Sequence, residues 1–242
     1  MGNIIVSIHQ PNFMPWLGYF YKIWKSDIFI FLDDVQFIKT GASYTNRVSL
    51  NIAGESTPVT IPVKRPSGVW NINQTEFANE RWKKKLLKTI QGNYAKSPYF
   101  KANREFIFEL INRECSSYSE YNIHFVKEIS KRLGFETEFR VSSEIDKGQI
   151  KNATDRIVKL VKSVNGTHYL SGKGGDNYQD NNLYIDNKIE LIYNDFVYFE
   201  YKQPRAENFI KGLSIIDAVF NIGFENLKRE FVEINNKKDN RL

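Results

Sequence analysis

The chain has 242 residues, 41% hydrophobic, 26% charged and 14% aromatic, which suits one sizeable domain with a well-filled core. Its net charge of +6 fits a solvated surface with slightly more Lys than Glu, or an anionic small ligand, and without a concentrated basic face is too weak for a nucleic-acid-binding protein. A single cysteine, Cys115, excludes an internal disulfide and a cysteine-built zinc site, and no run approaches the roughly 20 apolar residues of a membrane span. The N-terminus has no basic lead and only a short apolar run, so no signal peptide and a cytoplasmic location are expected.

The first predicted element is a strand, "NIIVSI" (3–8), continuously apolar and β-branched as in a strand buried on both faces. Pro11 and Pro15 bar a helix through 9–14, which reads as a loop, and Pro15 suits a helix's first turn. Leu17, Phe20, Tyr21 and Trp24 then fall at helical spacing, and "IFIFL" (28–32) is a second buried strand. Strand, loop, helix and strand over about 30 residues make a βαβ unit with a parallel sheet and a right-handed crossover. Residues from about 40 to 75, with "RVSLNI" and "STPVTIPV", read as an inserted β-hairpin.

Helices are predicted at 80–95, 100–113 and 118–134, making a helical portion over about 80–134. A strand running into a turn follows at 136–144, then a helix over 152–166 with Asn152 or Thr154 as N-cap. Strands come next at 167–172 and 188–196, and a last helix at 213–223. Residues 1–234 read as one α/β domain and 235–242 as a polar, flexible tail.

In an open parallel sheet, ligands bind beyond the carboxyl ends of the strands. The first strand delivers His9 and Gln10 there. The second delivers Asp33, Asp34 and Gln36, and the third delivers Ser171-Gly172-Lys173-Gly174-Gly175-Asp176. His9 is placed to meet a phosphate or to act as acid or base, or else to cap its own loop. The helix starting near Pro15 offers free N–H groups and a positive dipole end for a phosphate, as any helix start does. Asp33 and Asp34 could hold Mg²⁺, orient a ligand hydroxyl, or simply form an acidic turn. In "SGKGGDNY" (171–178), Gly174 and Gly175 permit positive φ, so that backbone N–H groups can face an anion while Lys173 adds charge. Neither a Walker loop nor a dinucleotide fingerprint has this spacing.

Asn46 and Arg47 precede a strand, where the guanidinium could grip a phosphate or carboxylate or merely be exposed. Asp217 and Asn221, four apart on the last helix, suggest a solvated face, and His124 suggests a structural role. No His, Cys or carboxylate pair has zinc spacing, so no metal ligand is assigned.

The stretches "SIHQPNFMPWLGYFYKIWKSDIFIFLDDVQFIK", "YTNR", "TIPV", "YLSGKGGDNY", "YNDF" and "LSIIDAVFNIG" together resemble the WbqC-like protein family, in order and over nearly the whole chain. That resemblance implies a place in bacterial O-antigen or capsule biosynthesis. The N-terminal layout is also similar to that of nucleotidylyltransferases and pantothenate synthetase, which implies a Rossmann-like, nucleotidylyltransferase-type sheet with a hairpin insertion and a helical annex. By that likeness His9 takes the first histidine's place. The second histidine and its preceding glycine are absent, and Gly18-Tyr19 stands roughly there.

These likenesses imply an enzyme that transfers an acyl or aminoacyl group to the amine of a nucleotide-linked amino sugar, with ATP and Mg²⁺ activating the carboxylate. Nucleotidyl transfer to a sugar phosphate, or sugar-nucleotide binding without catalysis, are the alternatives. His9, Lys173 and Asp34 would be catalytic. Gln10, Asn12, Trp16, Gly18, Asp33, Gln36, Asn46, Arg47, Ser171, Gly172, Gly174, Gly175, Asp176 and Tyr178 would bind the ligand.

Overall fold

The computed structural model describes residues 2–38, 44–172 and 179–239. Its centre is a five-stranded parallel sheet of β1 (Ile5–His9), β2 (Ile28–Phe31), β5 (Glu138–Val141), β6 (His168–Ser171) and β7 (Glu190–Tyr193). Strands β3 (Arg47–Ile52) and β4 (Glu55–Thr60) form a separate antiparallel hairpin. The sheet order is β5-β2-β1-β6-β7. Renumbered among the sheet strands alone this is 3-2-1-4-5, the Rossmann-like order, whose direction reverses between β1 and β6.

Two buried layers explain why β1, apart from Ser7, and β2 read as apolar runs. Phe29 and Phe31 face Tyr19, on α1 (Leu17–Trp24), and Phe139. Val6, Ile8, Ile28 and Ile30 point the other way, against Val158, Leu160 and Val161 of α5 (Ala153–Ser163) and Tyr184 of α6 (Asn181–Asp186). Asn152 caps α5, its side chain accepting from the Asp155 N–H at 2.8 Å. Helices α2 (Arg81–Tyr94), α3 (Phe100–Asn112) and α4 (Tyr118–Arg132) complete the larger core on the α1 side.

The hairpin turn explains one glycine. Ala53 and Gly54 both have positive φ, 57° and 97°, as a tight two-residue hairpin requires. A Cβ on Gly54 would stand 2.3 Å from the Arg205 carbonyl oxygen.

The last helix departs from the sequence pattern. α7 (Ile215–Asp239) continues past a kink at Gly223 (φ 79°, ψ 167°), well into the segment read as a flexible tail. Phe224, Leu227, Phe231 and Ile234 keep a helical stripe beyond the kink, and all four are buried. The solvated reading of Asp217 and Asn221 is also corrected, since both are buried. The Tyr201 hydroxyl and Gln203 Nε2 donate to Asp217 Oδ2 at 2.8 and 3.0 Å, so the irregular stretch before α7 supplies the polar partners that water would have supplied. Burial raises the Asp217 carboxyl above its ordinary value, against the lowering effect of these hydrogen bonds.

Candidate functional site

The β1 and β6 strands part where the sheet order reverses. β1 pairs with β2 as far as His9↔Phe31, but its ladder with β6 ends at Ser7↔Leu170. A split therefore opens between their carboxyl ends, the place where open α/β sheets take ligands. His9, Gln10 and Asn12 stand on one side of it, and Ser171 and Gly172 on the other.

His9 is half-buried, its ring meeting Tyr19 edge-on at 4.8 Å. Its Nδ1 lies 3.1 Å from the Gln10 carbonyl oxygen. A carbonyl only accepts, so Nδ1 carries the proton and Nε2 is left as an acceptor, without a partner among the described residues. Burial, helped by the nearby Lys22 ammonium, lowers the imidazole to about 4. At neutral pH His9 is thus an uncharged hydrogen-bonding group, and not a cation for phosphate. The Tyr19 hydroxyl donates to the same Gln10 carbonyl at 3.0 Å, fixing the backbone where the strand ends.

Residues 10–16 are held by groups remote in sequence. Asn122 Nδ2 of α4 donates to the Pro11 and Thr45 carbonyls at 2.8 and 3.1 Å. The Phe13 N–H donates to the Tyr44 carbonyl, and the Ile215 N–H to that of Pro15. Met14 sits at φ 42°, an uncommon conformation for a side chain of its size, inside this tied-down loop. Asn12 is buried within it. At the start of α1, the Trp16 indole lies over Gly18, where a Cβ would come within 2.1 Å of the ring. Trp16 also packs on Phe196 and Tyr198 at 5.6 and 5.8 Å, so its indole is part of an aromatic wall beside the loop.

Lys22 is the residue the sequence reading missed. It is 3% exposed, and its Nζ donates to the Ile8 carbonyl at 3.0 Å, immediately beyond the last β1–β6 pair. The signal was present in "LGYFYKIW": a helix apolar nearly all round is buried all round, so its lysine goes inside with it. Burial lowers the ammonium to about 7. The ring of Tyr169 also lies beside it, 5.9 Å from Nζ.

Asp33 and Asp34 have partners that keep them out of the crevice. The Ser143 N–H and hydroxyl donate to Asp33 at 3.0 and 2.7 Å. Asp34 accepts from the Ser142 hydroxyl at 2.7 Å and pairs with Lys147 and Arg156, each at 3.1 Å. Burial pushes the Asp34 carboxyl up, but the Ser142 hydroxyl and the two cations outweigh it and leave the group below its ordinary value. These carboxylates tie β2 to the turn after β5 and to α5, and neither has free oxygens arranged for Mg²⁺. Among the described residues no group of three or more His, Cys, Asp or Glu could hold a metal ion.

The remaining predicted residues divide by place. Ser171 is buried, and its Oγ accepts from Gln179 Nε2 at 2.8 Å. A Cβ on Gly172 would meet none of the described residues within 4 Å. Gln36 is exposed and bridges Asn71, while Asn46 is used within the hairpin module, donating to the Ile61 carbonyl at 3.1 Å. Arg47 is exposed with Nε on Thr60 Oγ1. Lys173, Gly174, Gly175, Asp176 and Tyr178 lie outside the described residues.

The family model described as "WbqC-like protein family" matches residues 10–229. The chain is 27% identical over 223 residues to the uncharacterized protein Rv1507c of Mycobacterium tuberculosis, an alignment covering 91% of this chain and 94% of that protein. No solved structure matches. None of the described helices is long and apolar enough to cross a membrane.

Proposed function

Because the chain belongs to the WbqC-like protein family, we propose that it serves surface-polysaccharide precursor biosynthesis by acting on a nucleotide-linked amino sugar held at the β1–β6 split. The reaction is transfer of an acyl or aminoacyl group to the sugar amine. In its ATP-dependent form, a carboxylate attacks the α-phosphorus of ATP, pyrophosphate leaves, and the amine attacks the acyl adenylate. The C–N bond forms, AMP departs, and one proton is lost from nitrogen. Mg²⁺, if it accompanies ATP, would be held by ligands other than the Asp33–Asp34 pair, whose oxygens are already engaged.

The observation that carries this reading is His9. A neutral imidazole with an unpartnered Nε2, at a strand's carboxyl end beside the switch point, can accept an N–H or O–H from a ligand in the crevice. Its low proton affinity suits orienting the amine more than storing its proton. A second reading, nucleotidyl transfer to a sugar phosphate, draws on the 3-2-1-4-5 strand order with a histidine at the first strand's end.

A thermal-shift panel of UDP-, dTDP- and GDP-linked amino sugars, ATP with Mg²⁺, amino acids and acyl-CoA tests the reading. A ligand at 100 times its Kd stabilises by about 2.7 kcal/mol. A sugar nucleotide is expected to raise Tm in the wild type and to lose at least half of that shift in His9→Ala. AMP release that depends on an amine favours acyl transfer, whereas pyrophosphate release without an amine favours nucleotidyl transfer. A panel without any shift, or an undiminished shift in His9→Ala, contradicts the proposal.

A further inference from the structure

Lys22 has an energetic requirement that the free protein leaves unmet. Its head group is buried, carries three N–H donors, and among the described residues has one hydrogen-bond acceptor, the Ile8 carbonyl. Among the described residues it has no carboxylate partner. An ammonium out of water and without a counter-ion is costly, and proteins pair such charges or leave them neutral. Unlike Lys83, which meets Glu80 and the Arg113 carbonyl, Lys22 bonds Ile8, the first β1 residue beyond the β1–β6 ladder. That position borders the crevice assigned above to the ligand, where a Cβ on Gly172 would meet none of the described residues within 4 Å.

We propose that Lys22 is the counter-ion for the diphosphate of a nucleotide-linked ligand seated at the carboxyl ends of β1 and β6. This rests on the crevice reading above and adds to it the group that recognises the anion. A phosphate oxygen entering the split takes one of the two N–H donors that Ile8 does not use, so the anchoring bond to the sheet is kept. The four-carbon stem allows the head group to rise toward the ligand without moving α1.

Proton linkage follows from the same geometry. Lys22 in the free protein sits near 7. Among the described residues the other titratable groups facing it are His9 from β1, lowered to about 4, and Tyr169 from β6, raised to about 12 by burial. Neither titrates between pH 6 and pH 9, so of these three Lys22 is the group that changes charge there. An anion beside it favours the ammonium, so binding above neutral pH takes up a proton.

Isothermal titration at pH 8.5, in two buffers of different ionisation enthalpy, reads that proton directly. UDP-N-acetylglucosamine, ATP and inorganic pyrophosphate are the probes, the first two distinguishing a sugar nucleotide from a nucleoside triphosphate as the source of the diphosphate. UDP-N-acetylglucosamine, whose phosphates stay ionised throughout, is expected on binding to bring close to one proton into the complex at pH 8.5 and almost none at pH 6. Lys22→Met is expected to bind that probe at least tenfold more weakly at pH 6.5, with any residual binding free of proton uptake. Wild-type binding without proton uptake, together with equal affinity in Lys22→Met, overturns the role of Lys22 and leaves the nucleotide crevice standing. Failure of all three probes to bind the wild type overturns the diphosphate reading and the counter-ion with it.

Discussion

Lys22→Met is expected to be more stable than the wild type at neutral pH, by about 2–3 kcal/mol, with the advantage disappearing toward pH 10. Burial lowers the ammonium from 10.5 to about 7. Between those values the unfolded chain binds a proton that the folded chain does not, so wild-type stability rises with pH through this window and carries the full penalty below it. At about 1.4 kcal/mol per pH unit, the distance from 10.5 to about 7 sets a ceiling near 5 kcal/mol. Methionine has nearly the same volume and no charge, but it leaves the Ile8 carbonyl without its donor, a loss of about 1–2 kcal/mol. Urea unfolding of both proteins at pH 7 and pH 10 provides the comparison, in which the other lysines and tyrosines cancel. A variant less stable than the wild type at pH 7, or a difference independent of pH, contradicts the account. A protein that tolerates this penalty in its free state has placed the charge for a purpose other than stability, as buried ionisable groups in clefts often are.

Asp34→Ala is expected to lose about 2–3 kcal/mol of stability, whatever it does to turnover. The carboxylate is 17% exposed and joins Lys147, 11% exposed, to Arg156, 25% exposed. Removing it leaves two half-buried cations facing each other and frees the Ser142 hydroxyl, which donates to Asp34 Oδ1 at 2.7 Å. Partial exposure holds the loss below that of a fully buried pair. Because the partners hold the carboxyl below its ordinary value, the stabilisation is present above that value and is lost as pH falls through the lowered one. The deficit of Asp34→Ala relative to the wild type should therefore shrink in acid. Denaturant melts at pH 7 and pH 3 test both points. Unchanged stability with abolished activity would instead favour a catalytic role for Asp34.

The parts of the fold legible from sequence were those decided by local periodicity. β1 and β2 were read correctly because central parallel strands are apolar on both faces, and both have buried interiors here. The rule about strand ends points to the carboxyl ends of β1 and β6, where the β1–β6 ladder stops short of His9 and Ser171. The individual roles depend on pairings that no local pattern contains. Asp33 and Asp34 look like an open acidic pair until Ser142, Ser143, Lys147 and Arg156 arrive more than 100 residues later in the chain. Asp217 looks solvated until Tyr201 and Gln203 cover it. Asn122, inside an amphipathic helix, gives no hint that it spans the Pro11 and Thr45 carbonyls. Lys22 is readable in principle, since a lysine in "GYFYKIW" has no polar face to occupy.

The central claim is that the ligand sits at the carboxyl ends of β1 and β6, against His9. The chain has three histidines, His9, His124 and His168, and the last two lie on α4 and at the opposite, amino end of β6. Imidazole signals recorded by nuclear magnetic resonance, with UDP-N-acetylglucosamine added stepwise, therefore locate the ligand in one experiment. The expected result is a saturable shift of the His9 ring, which in the free protein does not titrate between pH 6 and pH 8 because its proton affinity is lowered to about 4, with His124 and His168 unmoved. Saturable binding that shifts His124 or His168 and leaves His9 in place would contradict the account.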